Sequence, residues 1–143
     1  MDFVGPMRQL AREEAAAIYN RLYWLRPRFN EVAARSGRLA PELFDTGVNM
    51  GPAVAVTFLQ RAHRPEPQRQ GLSLDLVPDG RIGPQALAAL DRFLQVRGKS
   101  SGETVLLRSL EALQAERHLR LAERRPANEA FLYGWLANRI GEP

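Results

Sequence analysis

Asp45 and Asn49 are the side chains whose types and spacing most clearly suggest chemistry. They stand four residues apart in a mostly apolar stretch, so a helix would place them on one face. There the carboxylate and the amide could orient a water molecule or a hydroxyl group of a ligand. A buried Asp can also accept backbone N–H groups and tie two helices together, and we favour this structural interpretation. Asp45 is also the one candidate for a catalytic residue.

Two pairs of aromatic residues are candidates for sugar contacts, Tyr23 with Trp24 and Tyr133 with Trp135. Their flat faces could stack on sugar rings, although aromatics at helical spacing more often belong to a core. Because Tyr23 and Trp24 are adjacent, their side chains point in different directions, and we expect one of them to be partly exposed. The candidate ligand-binding residues are therefore Tyr23, Trp24, Asp45 and Asn49.

Several other kinds of site are excluded by residue types. The chain has no Cys, which rules out a disulfide scaffold, a Cys nucleophile and a Cys-ligated metal. Its two histidines, His63 and His118, lie far apart and do not have the spacing of metal ligands. No Gly-rich phosphate loop or Ser-His-Asp arrangement is recognisable. We therefore expect neither a metal nor another cofactor.

The elements that must position these residues are helices, because apolar residues recur every three to four positions almost throughout. Gly47 and Gly51 are expected to permit close approach of two helices. In the Pro- and Gly-rich stretch 64–82, alternating leucines are compatible with a short strand or an extended loop, and Asp79-Gly80 predicts a tight turn. The fold class is all-α, with helices predicted over 10–25, 29–34, 41–50, 53–63, 84–98, 103–125 and 128–140.

The 143 residues suffice for one domain, or for one domain with a small lobe. The net charge of +4 comes almost entirely from arginine and is scattered along the chain. A DNA-binding helix would need several arginines on one face, and the helix over 84–96 offers only Arg92, so no nucleic acid partner is expected. No apolar run is long enough to predict a membrane span.

Several motifs, in order along almost the whole chain, resemble glycoside hydrolase family 108. This family comprises phage and bacterial N-acetylmuramidases and secretion activator proteins, with a C-terminal predicted peptidoglycan-binding domain. The resemblance implies a lysozyme-like helical domain over 1–50 and a helical peptidoglycan-binding lobe over 51–143, packed as one globular unit. It rests on the stretches Leu43–Pro52, Phe58–Ala62, Pro78–Leu87 and Ala127–Leu136.

The sequence departs from the family at one position that matters for chemistry. Family members carry their proposed catalytic glutamate in an N-terminal Glu-Gly-Gly-Tyr motif, and no Glu in this chain is followed by Gly-Gly. Cleavage of a glycosidic bond needs a carboxylic acid to protonate the leaving oxygen and usually a second carboxylate. The resemblance therefore implies the larger C-terminal part of such an enzyme without its general acid.

Two functions remain open at this point. The first is a peptidoglycan-directed, lysozyme-like protein of a family that hydrolyses glycan strands, and the second is a noncatalytic peptidoglycan-binding module or prophage remnant. The N-terminus, Met1-Asp2-Phe3-Val4-Gly5, does not resemble a signal peptide. The phage resemblance then implies synthesis in the cytoplasm and action at the cell wall or in the periplasm after holin-type release. Without the N-terminal family segment an apolar surface would be open, so we also expect a homo-oligomer.

Overall fold

A computed structural model describes residues 5–6, 10–63 and 77–140. This part of the chain contains seven α-helices and no strand, which confirms the all-α prediction. None of these helices combines the length and the apolar character needed to cross a membrane. The α-helices are α1 (Arg12–Tyr19), α2 (Phe29–Ala33), α3 (Leu39–Met50), α4 (Pro52–Ala62), α5 (Pro84–Arg97), α6 (Lys99–Arg124) and α7 (Glu129–Arg139).

The helix boundaries follow local rules closely. Pro52 and Pro84 occupy the first turns of α4 and α5, where a missing N–H costs nothing. Gly98 has a φ of +83° and separates α5 from α6, a conformation that an L side chain rarely adopts. The structure starts α3 and α6 a few residues earlier than the sequence predicted. At α3, the Leu39 N–H donates to the Ser36 hydroxyl at 3.2 Å and so gains a partner at the helix start.

Residues Asn20–Leu25 form a π-helix between α1 and α2, where the sequence predicted one uninterrupted α-helix. The Arg26 N–H donates to the carbonyl of Arg21, five residues back, at 2.9 Å. The wider turn shifts the faces of the helix, and Leu25 at its end is 48% exposed. Such π-turns often occur at functional sites because they redirect side chains.

The core is one buried cluster built from helices α2 to α6. Phe29, Leu43, Leu90 and Leu106 from four of these helices are inaccessible to solvent within it. Gly102 allows α5 and α6 to approach closely, because a Cβ there would lie 3.2 Å from Leu94. The cluster therefore joins the first half of the chain, through α2 and α3, to the second half through α5 and α6.

The two glycines predicted to permit helix approach behave differently. A Cβ on Gly47 would lie 3.3 Å from the Phe29 ring and 3.5 Å from the Pro52 backbone, so the prediction for Gly47 is confirmed. Gly51 has no atom within 4 Å of such a position, and the prediction for this residue is wrong. Its φ of +100° shows that Gly51 is needed for the sharp connection between α3 and α4.

A buried polar contact joins the segment before α3 to α6. The Ser36 hydroxyl donates to the Glu103 carboxylate at 2.7 Å, and both side chains are buried. Arg38 places its guanidinium 3.8 Å from the second carboxylate oxygen of Glu103. Burial of a carboxylate costs free energy unless it is hydrogen-bonded and paired, and these two contacts meet that need.

We expect Ser36→Ala to lower the free energy of unfolding by about 1–3 kcal/mol, because Glu103 and the Leu39 N–H both lose a buried partner. Urea unfolding at neutral pH measures this loss. Ser109→Ala is the matched control, since the Ser109 hydroxyl bonds only a backbone carbonyl at the surface, and it should change stability by less than about 0.5 kcal/mol. Equal urea midpoints for the two variants would contradict the role of Ser36.

The burial of His63, at the end of α4, predicts that stability depends on pH. Burial lowers its pKa below the ordinary value of 6.5, and its ring packs edge-on against Phe93 with centroids 5.6 Å apart. The unfolded chain therefore takes up this proton before the folded protein does, so stability should fall as pH decreases below about 6.5. The difference in unfolding free energy between pH 7 and pH 5 should shrink in His63→Gln. An unchanged difference would argue against titration of His63.

Candidate functional site

A cavity of about 350 Å³ lies between the π-helix, the start of α4 and the turn at Gly80. Its size falls within the range of about 300–1,000 Å³ that is usual for ligand sites. Most of its wall is apolar, and among the described lining residues Arg26 supplies the one charged side chain. These residues are Leu22, Tyr23, Arg26, Pro27, Pro52, Ala53 and Gly80.

Tyr23 and Arg26 provide the functional groups of this cavity. They are three residues apart, Tyr23 within the π-helix and Arg26 directly after it, and both line the cavity. The Tyr23 ring stacks on Tyr19 with centroids 5.3 Å apart and planes inclined by 27°, which restricts its orientation. An aromatic ring beside a guanidinium offers an apolar face together with a donor for a carboxylate.

The opposite wall is a turn held in place by the buried amide of Gln60. Its nitrogen donates to the Asp79 carboxylate at 2.9 Å and to the Arg81 carbonyl at 3.0 Å. Its oxygen accepts the Gly80 N–H at 3.0 Å. Gly80 has a φ of +75°, and a Cβ there would lie 3.0 Å from the Ala53 carbonyl oxygen. The predicted Asp-Gly turn is thus confirmed, and it also positions a cavity wall.

The Asp79 carboxylate and the Arg28 guanidinium make further contacts that hold the same turn. The hydrogen bond from Gln60 and that from the Arg81 backbone lower the pKa of Asp79 below its usual value. From the other side, the Arg28 guanidinium donates to the Ile82 carbonyl at 3.3 Å. Arg28 itself has a φ of +63°, a left-handed conformation that is uncommon outside glycine. The turn is therefore anchored both to α4 and to the segment before α2.

No carboxylate of the described residues contributes to the lining of this cavity. Its described walls can offer stacking, apolar contact and a cationic donor, all of which favour binding. They offer no group that could protonate a leaving oxygen or activate a water molecule as a carboxylate does. The arrangement can therefore hold a ligand, while these walls lack the groups for acid–base cleavage of it.

The predicted binding residues are only partly brought together. Tyr23 lines the cavity, whereas Trp24 is half-buried and packs edge-on against Phe44 with centroids 6.0 Å apart. Asp45 and Asn49 are exposed on α3 and do not line the Tyr23 cavity. The Asn49 amide bonds the backbone carbonyl of Asp45 at 2.8 Å, not its carboxylate. The interpretation of Asp45 as a buried acceptor is therefore wrong, because α3 turns this position towards solvent.

Sequence reasoning missed Arg26, Pro52 and Gly80 as parts of a site. Each is ordinary in its local context, and only folding brings the three segments together.

The two residues of the other aromatic pair, Tyr133 and Trp135, have different environments. Trp135 is half-buried and packs on His118 with ring centroids 4.9 Å apart, while Tyr133 is 84% exposed. Tyr133 is thus not a core residue.

Three carboxylates lie near one another at the contact between α3 and α6. Burial raises the pKa of Glu42 above its ordinary value of 4.5, and the nearby charges of Asp45 and Glu111 raise it further. A hydrogen bond from the Gln114 amide to the Glu42 carboxylate acts in the opposite direction. The folded protein therefore holds this proton to a higher pH than the unfolded chain does.

We expect Glu42→Gln to raise the urea midpoint at pH 7, because it removes a partly desolvated charge and keeps an oxygen for Gln114. The stabilising effect of the proton on Glu42 is complete below about pH 4.5 and is lost as the pH rises through the raised pKa. The gain from the substitution should therefore be smaller at pH 4. Glu123→Gln, at an exposed position on α6 away from Glu42, is the control and should shift stability by less than about 0.5 kcal/mol. A loss of stability in Glu42→Gln at pH 7 would contradict the upward shift of the Glu42 pKa.

Comparison with known proteins agrees with this architecture. Residues 54–140 match a family described as Predicted Peptidoglycan domain, and residues 2–51 match Glycosyl hydrolase 108. No curated protein matches the chain. The cavity lies where the two matched segments meet, since Tyr23 and Arg26 belong to the first and Gly80 to the second. With more than half of its length in the first of these matches, the chain belongs to the predicted peptidoglycan-binding domain family, preceded by a glycoside hydrolase family 108 segment.

Proposed function

We propose that this 143-residue chain binds glycan strands of peptidoglycan in the cavity between its two family segments and does not cleave them. The observation that carries the proposal is the composition of that cavity, whose described lining has an aromatic ring, a guanidinium and apolar walls but no carboxylate. Peptidoglycan is the ligand class that the family assignment implies. Binding without cleavage is what these groups can supply.

The chemistry of a glycan strand suits the two functional groups. The apolar face of an N-acetylated sugar can stack on the Tyr23 ring, and its acetyl methyl group can contact the apolar wall formed by Leu22 and Pro27. The lactyl group of muramic acid ends in a carbonyl or carboxylate, which the Arg26 guanidinium can bind through charge-assisted hydrogen bonds. Tyr23 would then recognise the sugar ring and Arg26 its acidic substituent.

The chemistry of hydrolysis argues against cleavage at this cavity. Glycosidases generally place two carboxyl groups about 5–9.5 Å apart across the scissile bond, and one of them must be protonated at the working pH. The described lining of the cavity contains neither group. The sequence, likewise, has no Glu in the Glu-Gly-Gly setting of the family's proposed general acid.

A second candidate function is hydrolysis of the β-1,4 bond between N-acetylmuramic acid and N-acetylglucosamine. One observation favours it, since Glu42 has a raised pKa and lies near the carboxylate of Asp45. A protonated and an ionised carboxyl group are the pair that such a reaction requires. Glu42 is hydrogen-bonded to Gln114 and is not part of the Tyr23 cavity, so we place this function second.

Sedimentation with insoluble peptidoglycan tests the proposal. We expect the purified chain to pellet with sacculi and to release no reducing ends. Tyr23→Ala should weaken binding by roughly five- to tenfold, because one aromatic stacking contact of about 1–1.5 kcal/mol is lost. Tyr133→Ala is the matched control, since it removes an exposed tyrosine that does not line the cavity.

Each alternative result has a defined meaning. Release of reducing ends that disappears in Glu42→Gln would replace the binding function with hydrolysis. An equal loss of binding in Tyr23→Ala and Tyr133→Ala would show that the Tyr23 cavity is not the site. If the wild-type chain does not pellet at all, the proposed function is wrong.

A further inference from the structure

A second cavity, of about 310 Å³, lies between the start of α3 and the middle of α6. It is separate from the Tyr23 cavity, since no described residue lines both. Its walls are polar and charged, in contrast to those of the first cavity. The lining residues are Arg38, Thr104, Leu107, Arg108 and Glu111.

One of the charged side chains, Arg38, already has partners within the protein. The Arg38 guanidinium donates to the Thr104 hydroxyl at 3.2 Å and lies 3.8 Å from the Glu103 carboxylate. Thr104 in turn donates to the Ser100 carbonyl at 3.0 Å. Arg38 and Thr104 therefore form a fixed wall of the cavity.

The other two charged groups face the cavity without such contacts. Arg108 and Glu111 stand three residues apart on α6, yet they form no ion pair with each other or with any other residue that the structure describes. Glu111 also lies close enough to Glu42 to raise the pKa of that residue, so a second negative charge is nearby. The groups available to a ligand are thus one cation and one anion at the same opening.

A ligand that carries a positive and a negative charge close together would fit this arrangement best. An uncharged sugar would leave Arg108 and Glu111 without partners, and a phosphate would be repelled by Glu111. A zwitterionic amino-acid group would place its carboxylate against Arg108 and its ammonium against Glu111. The volume, at the small end of the range for ligand sites, suits a group of amino-acid size.

We propose that this cavity binds the zwitterionic amino-acid end of an uncrosslinked stem peptide of peptidoglycan, through Arg108 and Glu111. This inference rests on the proposed function, because it takes peptidoglycan as the ligand. The Tyr23 cavity would hold the glycan strand and the Arg108–Glu111 cavity the peptide attached to it. Each cavity has walls from both family segments, the first through Tyr23 and Gly80 and the second through Arg38 and α6.

The experiment compares binding of the full 143-residue chain to three preparations. These are sacculi with uncrosslinked diaminopimelate-type stem peptides, the same sacculi with their amino groups acetylated, and glycan strands from which an amidase has removed the peptides. Acetylation removes the ammonium group, and the amidase removes the whole zwitterion. Arg108→Gln and Glu111→Gln are the test variants, and Arg92→Gln and Glu123→Gln are controls at exposed positions that line neither cavity.

We expect Arg108→Gln and Glu111→Gln each to weaken binding to intact sacculi by roughly two- to fivefold, the factor that one partly exposed ion pair provides. Neither variant should change binding to peptide-free strands. Acetylation of the sacculi should weaken binding of the wild-type chain. Glu111→Gln should bind acetylated sacculi as the wild type does, because the ammonium group that Glu111 binds is absent. Tyr23→Ala should weaken binding to all three preparations, since each contains the glycan.

Three results would overturn the inference. Unchanged binding of both test variants to intact sacculi would show that the cavity has no part in recognition. A loss of the same size in the control variants, or on peptide-free strands, would show a general effect of charge. Wild-type protein that binds peptide-free strands as tightly as intact sacculi would leave the glycan-binding function in place and remove the peptide site. If the wild type binds none of the preparations, the proposed function itself fails.

Discussion

The buried hydrogen bond from Ser36 to Glu103 is the contact on which the arrangement of the two halves depends. Leu and Phe side chains could pack in several ways with a similar hydrophobic gain, because that gain has no direction. A buried carboxylate is different, since it must meet its partners or lose several kcal/mol. Ser36 belongs to the glycoside hydrolase segment and Glu103 to the peptidoglycan-binding segment, so this contact ties the residues just before α3 to α6.

Both cavities lie where residues of the two family segments meet. Arg38 follows Ser36 by two residues, contacts Glu103 and forms a wall of the charged cavity. On the other side, Arg28 reaches the Ile82 carbonyl and helps hold the turn that closes the Tyr23 cavity. A shift of α3 against α6 would therefore change the shape of the charged cavity, whereas the shape of the Tyr23 cavity depends on the contacts of Arg28 and Gln60 with the turn at Gly80. In the proposed function, stability and ligand binding would therefore both depend on contacts between the two segments.

In the proposed function, the two cavities divide the recognition of one polymer into two kinds of chemistry. Peptidoglycan alternates a glycan with few charges and peptides that carry many. An aromatic, mostly apolar pocket suits the first, while a pocket with opposite charges suits the second. Weak contacts of each kind would add on a repeating ligand, because a strand held at one site presents its neighbouring groups at high effective concentration.

The sequence by itself determined the helical class, the helix-starting prolines at Pro52 and Pro84, the turn at Asp79-Gly80 and the family relationship. These features follow from local conformational preferences and from the order of motifs, which do not need the rest of the fold. Tertiary structure decided which candidate residues meet. It turned Asp45 towards solvent, placed Tyr23 in a cavity, and joined Arg26 to Gly80 across more than fifty residues of sequence. The docking of α3 on α6 arises from long-range packing, whose partners cannot be identified from local periodicity. The π-helix at Asn20–Leu25 departs from the regular α-helix that this periodicity predicts.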